Sequence, residues 1–221
     1  MFGVSRAVRH SEKKLGIYMK MYKIQDYLTE QENGFLIYCD MDGVLTNFQD
    51  HFIRYYHNEF RDTELYTNSP ESFPEVPQAK TTQDITDKLS KKNKYAITRK
   101  ASKEYWSEMP WHPDGKSLWK AIKPLNPIIL STPAASANSK EGKMVWVKKN
   151  LKISTVILSD KKYQYVEDNL FVPKGKENYK RILIDDTPKK ISGWTSAGGI
   201  GILHKSARDT ISKLKKLGAI K

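Results

Sequence analysis

The sequence is short of sulfur, of acid and of long apolar runs. One cysteine, Cys39, stands among 221 residues, which excludes an internal disulfide framework and suits a reducing compartment. The longest apolar stretches, such as Phe35-Leu36-Ile37-Tyr38 and Pro127-Ile128-Ile129-Leu130, fall far below the roughly 18 residues of a membrane span. The N-terminus lacks the apolar core and small-residue cleavage site of a secretory signal. A soluble, cytoplasmic protein with no membrane partner is expected. Internal repeats and low-complexity tracts are absent, so the chain is not a repeat array. Acidic residues number 25 against 38 Lys and Arg, a formal net charge of +13. Such a charge draws a protein toward phosphate-bearing partners through long-range attraction. The basic residues are spread over the chain instead of filling one block, and a lysine-rich solvated surface without a polyanion partner accounts for the charge equally well.

Hydrophobic residues make up 38% of the chain and are concentrated in short segments, as in a folded domain with a charged surface. The length suits one core with an inserted or appended element. Residues 1–34 form a polar, basic N-terminal extension with a helical stretch near Lys20–Leu28. A strand follows at Phe35–Asp40, then a turn at Met41-Asp42-Gly43 and an aromatic-rich helix from about Phe48 to Phe60. Between Arg61 and Pro113 the pattern changes. Pro70, Pro74 and Pro77 break the chain, and a lysine-rich helical segment runs through Asp84–Trp106. Residues 61–112 are therefore expected to form a small helical cap inserted after the first strand, with 35–60 and 113–221 as the core.

Beyond Pro113 the alternation is regular: helix 114–122, strand 127–131, helix 139–150, strand 154–159, a loop and short helix to about 170, strands 181–186 and 199–203, and a last helix near Ser206–Leu217. Short apolar strands separated by helices predict an α/β, Rossmann-like parallel sheet flanked by helices on both faces. Ligands of such sheets bind outside the carboxyl ends of the strands. The residues there are Asp40 and Asp42, Ser131 and Thr132, Asp160, Lys161 and Lys162, and Asp185 and Asp186.

Four carboxylates in two pairs, two hydroxyls and two lysines on one edge suit phosphoryl transfer. Clustered carboxylates repel one another unless a cation neutralises them, and oxygen ligands point to Mg2+ before zinc or copper. Asp40, ending an apolar strand, offers a carboxylate nucleophile for an aspartyl-phosphate. Asp42, two residues on, is placed to protonate the leaving oxygen and later to activate water. Gly43 permits the tight turn. Ser131 offers a hydroxyl and a backbone amide to the transferring oxygens, and Lys162 or Lys161 a balancing charge. Asp185 and Asp186 supply the remaining metal ligand.

At this point the residues resemble a known family. Asp40-Met41-Asp42-Gly43-Val44-Leu45-Thr46 is similar to the first motif of the haloacid dehalogenase (HAD) superfamily, and Ile182-Leu183-Ile184-Asp185-Asp186 to its fourth. Ser131 fits the second motif and Lys162 the third, in the expected order. Over about residues 35–205 the chain most resembles the 5′(3′)-deoxyribonucleotidases. Phe48 stands where that family places a base-stacking aromatic. Trp106-Ser107-Glu108-Met109 before His112-Pro113-Asp114-Gly115 looks like the end of its cap, and Ser131-Thr132-Pro133 with Met144–Lys149 like its second-motif loop and helix. The resemblance implies Asp40 as nucleophile and Mg2+ ligand, Asp42 as general acid/base and ligand through its carbonyl, Asp186 as a direct ligand and Asp185 as an orienting one. It implies a base contact at Phe48, and substrate contacts are expected also at Trp106, Thr132 and Lys161. The chain departs from the family in its Ser-Thr order at 131–132, in lacking an arginine before the third-motif lysine, in its long N-terminal extension and in its proline-rich insertion.

Simpler roles compete at several positions. Ser131 and Thr132 also suit a turn before Pro133, and Phe48 and Trp106 also suit a core. Trp111, Trp119 and Trp146 are assigned to packing, Cys39 to a buried place in the first strand, and His112 and His204 to structural roles outside any cluster. Three functions remain: Mg2+-dependent hydrolysis of (deoxy)nucleoside monophosphates, removal of a terminal phosphate from a polynucleotide, and nucleic-acid binding or regulation on a HAD fold without turnover.

Overall fold

The computed structural model describes residues 34–153, 155–168 and 170–221. The N-terminal extension, with its expected helix near Lys20–Leu28, lies outside the described residues. Five strands, β1 (Phe35–Cys39), β2 (Ile128–Ser131), β3 (Val156–Leu158), β4 (Lys180–Asp185) and β5 (Ile200–Leu203), make one sheet in the order β3-β2-β1-β4-β5. Every pairing is parallel, so the expected α/β, Rossmann-like sheet is what forms. The strand β1 is central, and the chain winds outward from it first through β2 and β3, then through β4 and β5. This reversal opens a crevice at the carboxyl ends of β1 and β4, where an open α/β sheet takes its ligands.

Alternation along β1 builds a core on each face. Ile37 and Cys39 join Ile129, Ile182 and Ile184 in one cluster. Leu36 and Tyr38 join Leu130, Leu183, Tyr165 and Trp194 in the other. Large apolar side chains each contribute about 1.5–3 kcal/mol when fully buried, and Leu36, Ile37, Tyr38 and Cys39 of β1 are buried almost without remainder. The tryptophans assigned to packing do pack: Trp119 and Trp146 are buried and Trp111 is partly buried. The Trp146 indole N–H donates to the Met109 carbonyl at 2.7 Å.

The excursion between β1 and β2 carries helices α1 (Phe48–Asn58), α2 (Glu64–Thr67), α3 (Thr82–Thr86), α4 (Lys91–Lys100), α5 (Lys103–Ser107) and α6 (Gly115–Ile122). The single helical segment expected over 84–106 is instead three short helices. Ser90 and Ser102 each accept a backbone N–H at a new helix start, and Ala101 between them is extended. Hydroxyl caps thus divide what lysine-rich composition made look continuous. Phe60, Phe73, Ile85 and Ile97 of this excursion bury into the same cluster as Ile37 and Ile184.

After β2 come α7 (Ala137–Leu151), α8 (Gln164–Glu167), α9 (Pro188–Ser196) and α10 (Ala207–Lys216). The helix α9 was not expected. Its Ser, Gly and Thr are poor helix formers, but Pro188 at its first turn starts it and Trp194 anchors it to the sheet.

Candidate active site

Register brings the acidic residues together. Cys39 pairs with Ile184, and the backbone N–H of Asp40 donates to the Ile184 carbonyl at 2.9 Å, so Asp40 leaves β1 beside Asp185. Asp40, Asp185 and Asp186 each present a carboxylate oxygen, all within 4.8 Å of one another. The turn that follows Asp40 is built for crowding. Gly43 has φ +73°, and a Cβ placed there would lie 2.0 Å from Asp186 Oδ2. Only glycine allows this backbone both its left-handed conformation and its approach to the second acidic pair.

Two lysines balance these charges. Lys162 is buried, and its Nζ lies 2.6 Å from Asp185 Oδ2 and 3.0 Å from Asp40 Oδ1. Burial by itself would lower the pKa of this ammonium, but Asp40 and Asp185 outweigh it and hold the group charged, above its usual value. Asp40 Oδ1 also accepts the Met41 N–H at 2.8 Å, so the plane of this carboxylate is fixed from two sides. Burial pushes Asp185 up, Asp40 adds to that, and Lys162 with the Thr187 N–H works against it. Asp186 is pushed up to about 6, first by desolvation, then by the charges of Asp40 and Asp185. Its neighbours are anions with too few cations among them. Three carboxylates without nitrogen or sulfur suit a hard divalent cation, whose charge would relieve this repulsion.

The second lysine, Lys143, was not singled out in the sequence. It projects from α7, is fully buried, and donates to Asp42 Oδ2 at 2.6 Å and to Ser131 Oγ at 3.0 Å. Asp42 also receives the Thr46 hydroxyl at 3.3 Å. Its carboxylate therefore stands apart from the group of three, which leaves the backbone carbonyl as the ligand atom the resemblance assigns to it. Ser131 is buried at the end of β2 and reaches the site through Lys143. Thr132, whose hydroxyl donates to the Ser159 carbonyl, lines the open space instead. Of the two adjacent lysines, Lys162 is at the carboxylates and Lys161 is exposed. Lys190 on α9 also lines the crevice, with its Nζ 2.5 Å from the Asp160 carbonyl.

Two cavities meet over this cluster. One of about 300 Å³ is lined by Asp40, Asp42, Gly43, Phe48, Thr132, Asp186 and Lys190. Its neighbour, of about 340 Å³, shares Asp42, Phe48 and Thr132 and adds Tyr95, Thr98 and Arg99 of α4 and the loop 133–135. Phe48 stands between them, with Trp106 stacked behind it at 6.1 Å and 17°. Trp106 is almost wholly buried and has the Lys143 ammonium over its ring at 5.4 Å. It gives the second cavity an edge and gives Phe48 a rigid backing.

The fold is similar to that of solved structures. A hydrolase from Streptococcus pneumoniae superposes with a TM-score of 0.50 at 12% identity, over 83% of this chain and 99% of that one. A HAD-superfamily hydrolase from Ehrlichia chaffeensis gives 0.47 at 14% identity, over 86% and 99%. At such identities the likeness speaks to the fold alone. No protein-family model and no curated protein sequence matches the chain.

Proposed function

We propose that this protein is a Mg2+-dependent phosphohydrolase that acts through an aspartyl-phosphate on Asp40, with (deoxy)nucleoside monophosphates as substrates. The observation that carries this reading is the Asp40 carboxylate, fixed by Lys162 and the Met41 N–H and opening onto a cavity large enough for a phosphate ester. Residues 61–112 act in it as a cap, since Tyr95, Thr98 and Arg99 wall the second cavity.

In this mechanism an Asp40 oxygen attacks phosphorus as the ester P–O bond breaks, and Asp42 gives its proton to the leaving oxygen. Water then attacks the phosphorus of the acyl phosphate while Asp42 takes back a proton. Inorganic phosphate leaves, and the Asp40 carboxylate is restored. Asp40, Asp185 and Asp186, with the Asp42 carbonyl, would hold Mg2+, which supplies positive charge against the phosphoryl oxygens. Lys143 has a further part. Its buried ammonium, held between Asp42 and Ser131, supplies fixed positive charge beside both residues. Thr132 and Lys190 border the space the phosphate would fill, and Phe48 offers a face for a base.

The test is phosphate release from a panel of deoxy- and ribonucleoside monophosphates and 3′- or 5′-phosphorylated oligonucleotides, with and without Mg2+, beside Asp40→Asn. Turnover of monophosphates that needs Mg2+ and vanishes in the variant is the expected result. Silence on every monophosphate would end the nucleotidase reading. A second reading, removal of a terminal phosphate from a polynucleotide, is favoured by the net charge of +13 and predicts turnover confined to the oligonucleotides.

A further inference from the structure

The loop His112-Pro113-Asp114, where the chain re-enters the core, meets the turn after β5. There His112, Asp114 and His204 each offer a ligand atom, and these atoms all lie within 4.8 Å of one another. Sequence reading set the two histidines apart from any cluster, because 92 residues separate them in the chain. The fold joins them. His112 Nδ1 is 2.7 Å from Asp114 Oδ1, Asp114 Oδ2 accepts the Ala207 N–H at 2.5 Å, and the His112 and His204 rings meet edge to face at 6.0 Å.

His204 is the decisive member. The residue is 5% exposed, its Nδ1 lies 2.8 Å from the Thr210 hydroxyl, and its Nε2 is buried with no hydrogen-bond partner. Leaving such an atom unpaired in the interior is unfavourable, and a ligand that bonds to it removes that cost. In the tautomer whose Nδ1–H donates to Thr210 Oγ1, the lone pair is on Nε2. This arrangement, in which an outer hydrogen bond sets the tautomer and orientation of the ring, is the one metal-binding imidazoles use.

We propose that His112, Asp114 and His204 bind a divalent cation of the borderline class, Zn2+ in the first instance, at a site separate from the three carboxylates at the end of β1 and β4. Two imidazoles and one carboxylate are a zinc donor set, whereas Mg2+ favours oxygen throughout. His112 and Asp114 are partly exposed. They give the ion a way in and leave room for solvent as a further ligand. Bound there, the ion would join the start of α6 to the start of α10.

The experiment uses the full chain freed of metal, with Zn2+ titrated against a chromophoric chelator in excess Mg2+, and thermal melting followed in parallel. One Zn2+ per chain and a melting temperature that rises with Zn2+ are expected. His112→Ala and His204→Asn should each weaken binding at least about tenfold and abolish the thermal shift, while Asp186→Asn should leave both in place. The Asn side chain can still meet Thr210 but lacks Nε2. Should it fail to fold, His112→Ala, at a partly exposed position, decides. No zinc uptake in excess Mg2+, wild-type affinity in the histidine variants, or loss in Asp186→Asn would each overturn the proposal.

Discussion

Asp40, Asp185 and Asp186 crowd three negative charges into one corner of the sheet, and Lys162 answers only two of them. Asp186 bears the remainder, with its pKa pushed up to about 6. A carboxyl whose folded pKa lies above its unfolded value stabilises the fold fully below the unfolded value, about 4. That contribution is lost as pH rises through about 6, and at neutral pH the ionised Asp186 works against the metal-free fold. Replacing it with Asn should therefore raise the stability of the metal-free protein near neutral pH by up to about 1 kcal/mol, allowing for solvent screening at this exposed position. The same change should abolish the thermal shift that Mg2+ produces. Melting curves with and without Mg2+ check both, and a variant that melts lower than wild type without metal would refute the repulsion argument. A second residue-scale prediction concerns Lys143. Lys143→Met keeps the buried stem but removes the ammonium from Asp42 and Ser131, so turnover should fall about 10²–10³-fold with the fold intact by circular dichroism. An unchanged rate would remove Lys143 from the site. Asp40, Asp42 and the Asp185-Asp186 pair were legible in the sequence because they stand at strand ends, which converge; strand position left Lys161 and Lys162 undivided, and it is packing that puts Lys162 at the carboxylates. Lys143 was not, since it shares its helix with Lys140, Lys148 and Lys149, and only tertiary packing tells which of them faces inward.

At the scale of elements, the strands were legible from short apolar runs, while helix boundaries depended on caps and on single packing residues. The meeting of α5 and α7 is the clearest case. A Cβ on Gly142 would come within 2.4 Å of the Trp106 Cβ and 2.6 Å of the Lys103 carbonyl oxygen, so the excursion docks on the core helix only because this position is glycine. Helix propensity alone predicts that Gly142→Ala stabilises, by roughly 0.5–1 kcal/mol. The close approach predicts the opposite, since backbone and Cβ atoms cannot swing aside, and overpacking costs about 1–3 kcal/mol. Urea unfolding of Gly142→Ala should show a loss of that size. Because Trp106 backs Phe48 and lies under Lys143, KM for the substrate should rise as well. A stabilised variant would show that α5 can shift away without cost. None of this close approach could be read from the sequence, where Gly142 is one small residue inside a lysine-rich helix.

For the whole molecule the open question is what the charge of +13 does. Among the described residues the lysines divide into a few paired with the clustered aspartates and many on the surface, and no helix of the described residues is long and apolar enough to cross a membrane. If the surface lysines merely solvate the fold, binding of a phosphorylated oligonucleotide should involve one or two phosphates. Each phosphate neutralised on a single strand contributes about −0.7 to the slope of log affinity against log salt. Going from about 50 to 200 mM salt should then weaken oligonucleotide binding by less than about tenfold, and KM for a monophosphate should move by a similar or smaller factor. An end-processing enzyme needs a track of phosphate contacts and would lose about 10³-fold or more over the same range. Fluorescence-anisotropy titrations of a 5′-phosphorylated oligonucleotide at the two salt concentrations separate the cases. The nucleotidase reading expects the shallow dependence, because its cavities beside Asp40 are walled by Phe48, Thr132 and α4 into a space for one nucleotide. A steep slope would mean that the charge spread along the chain folds into a continuous path, and the substrate would then be a polymer end.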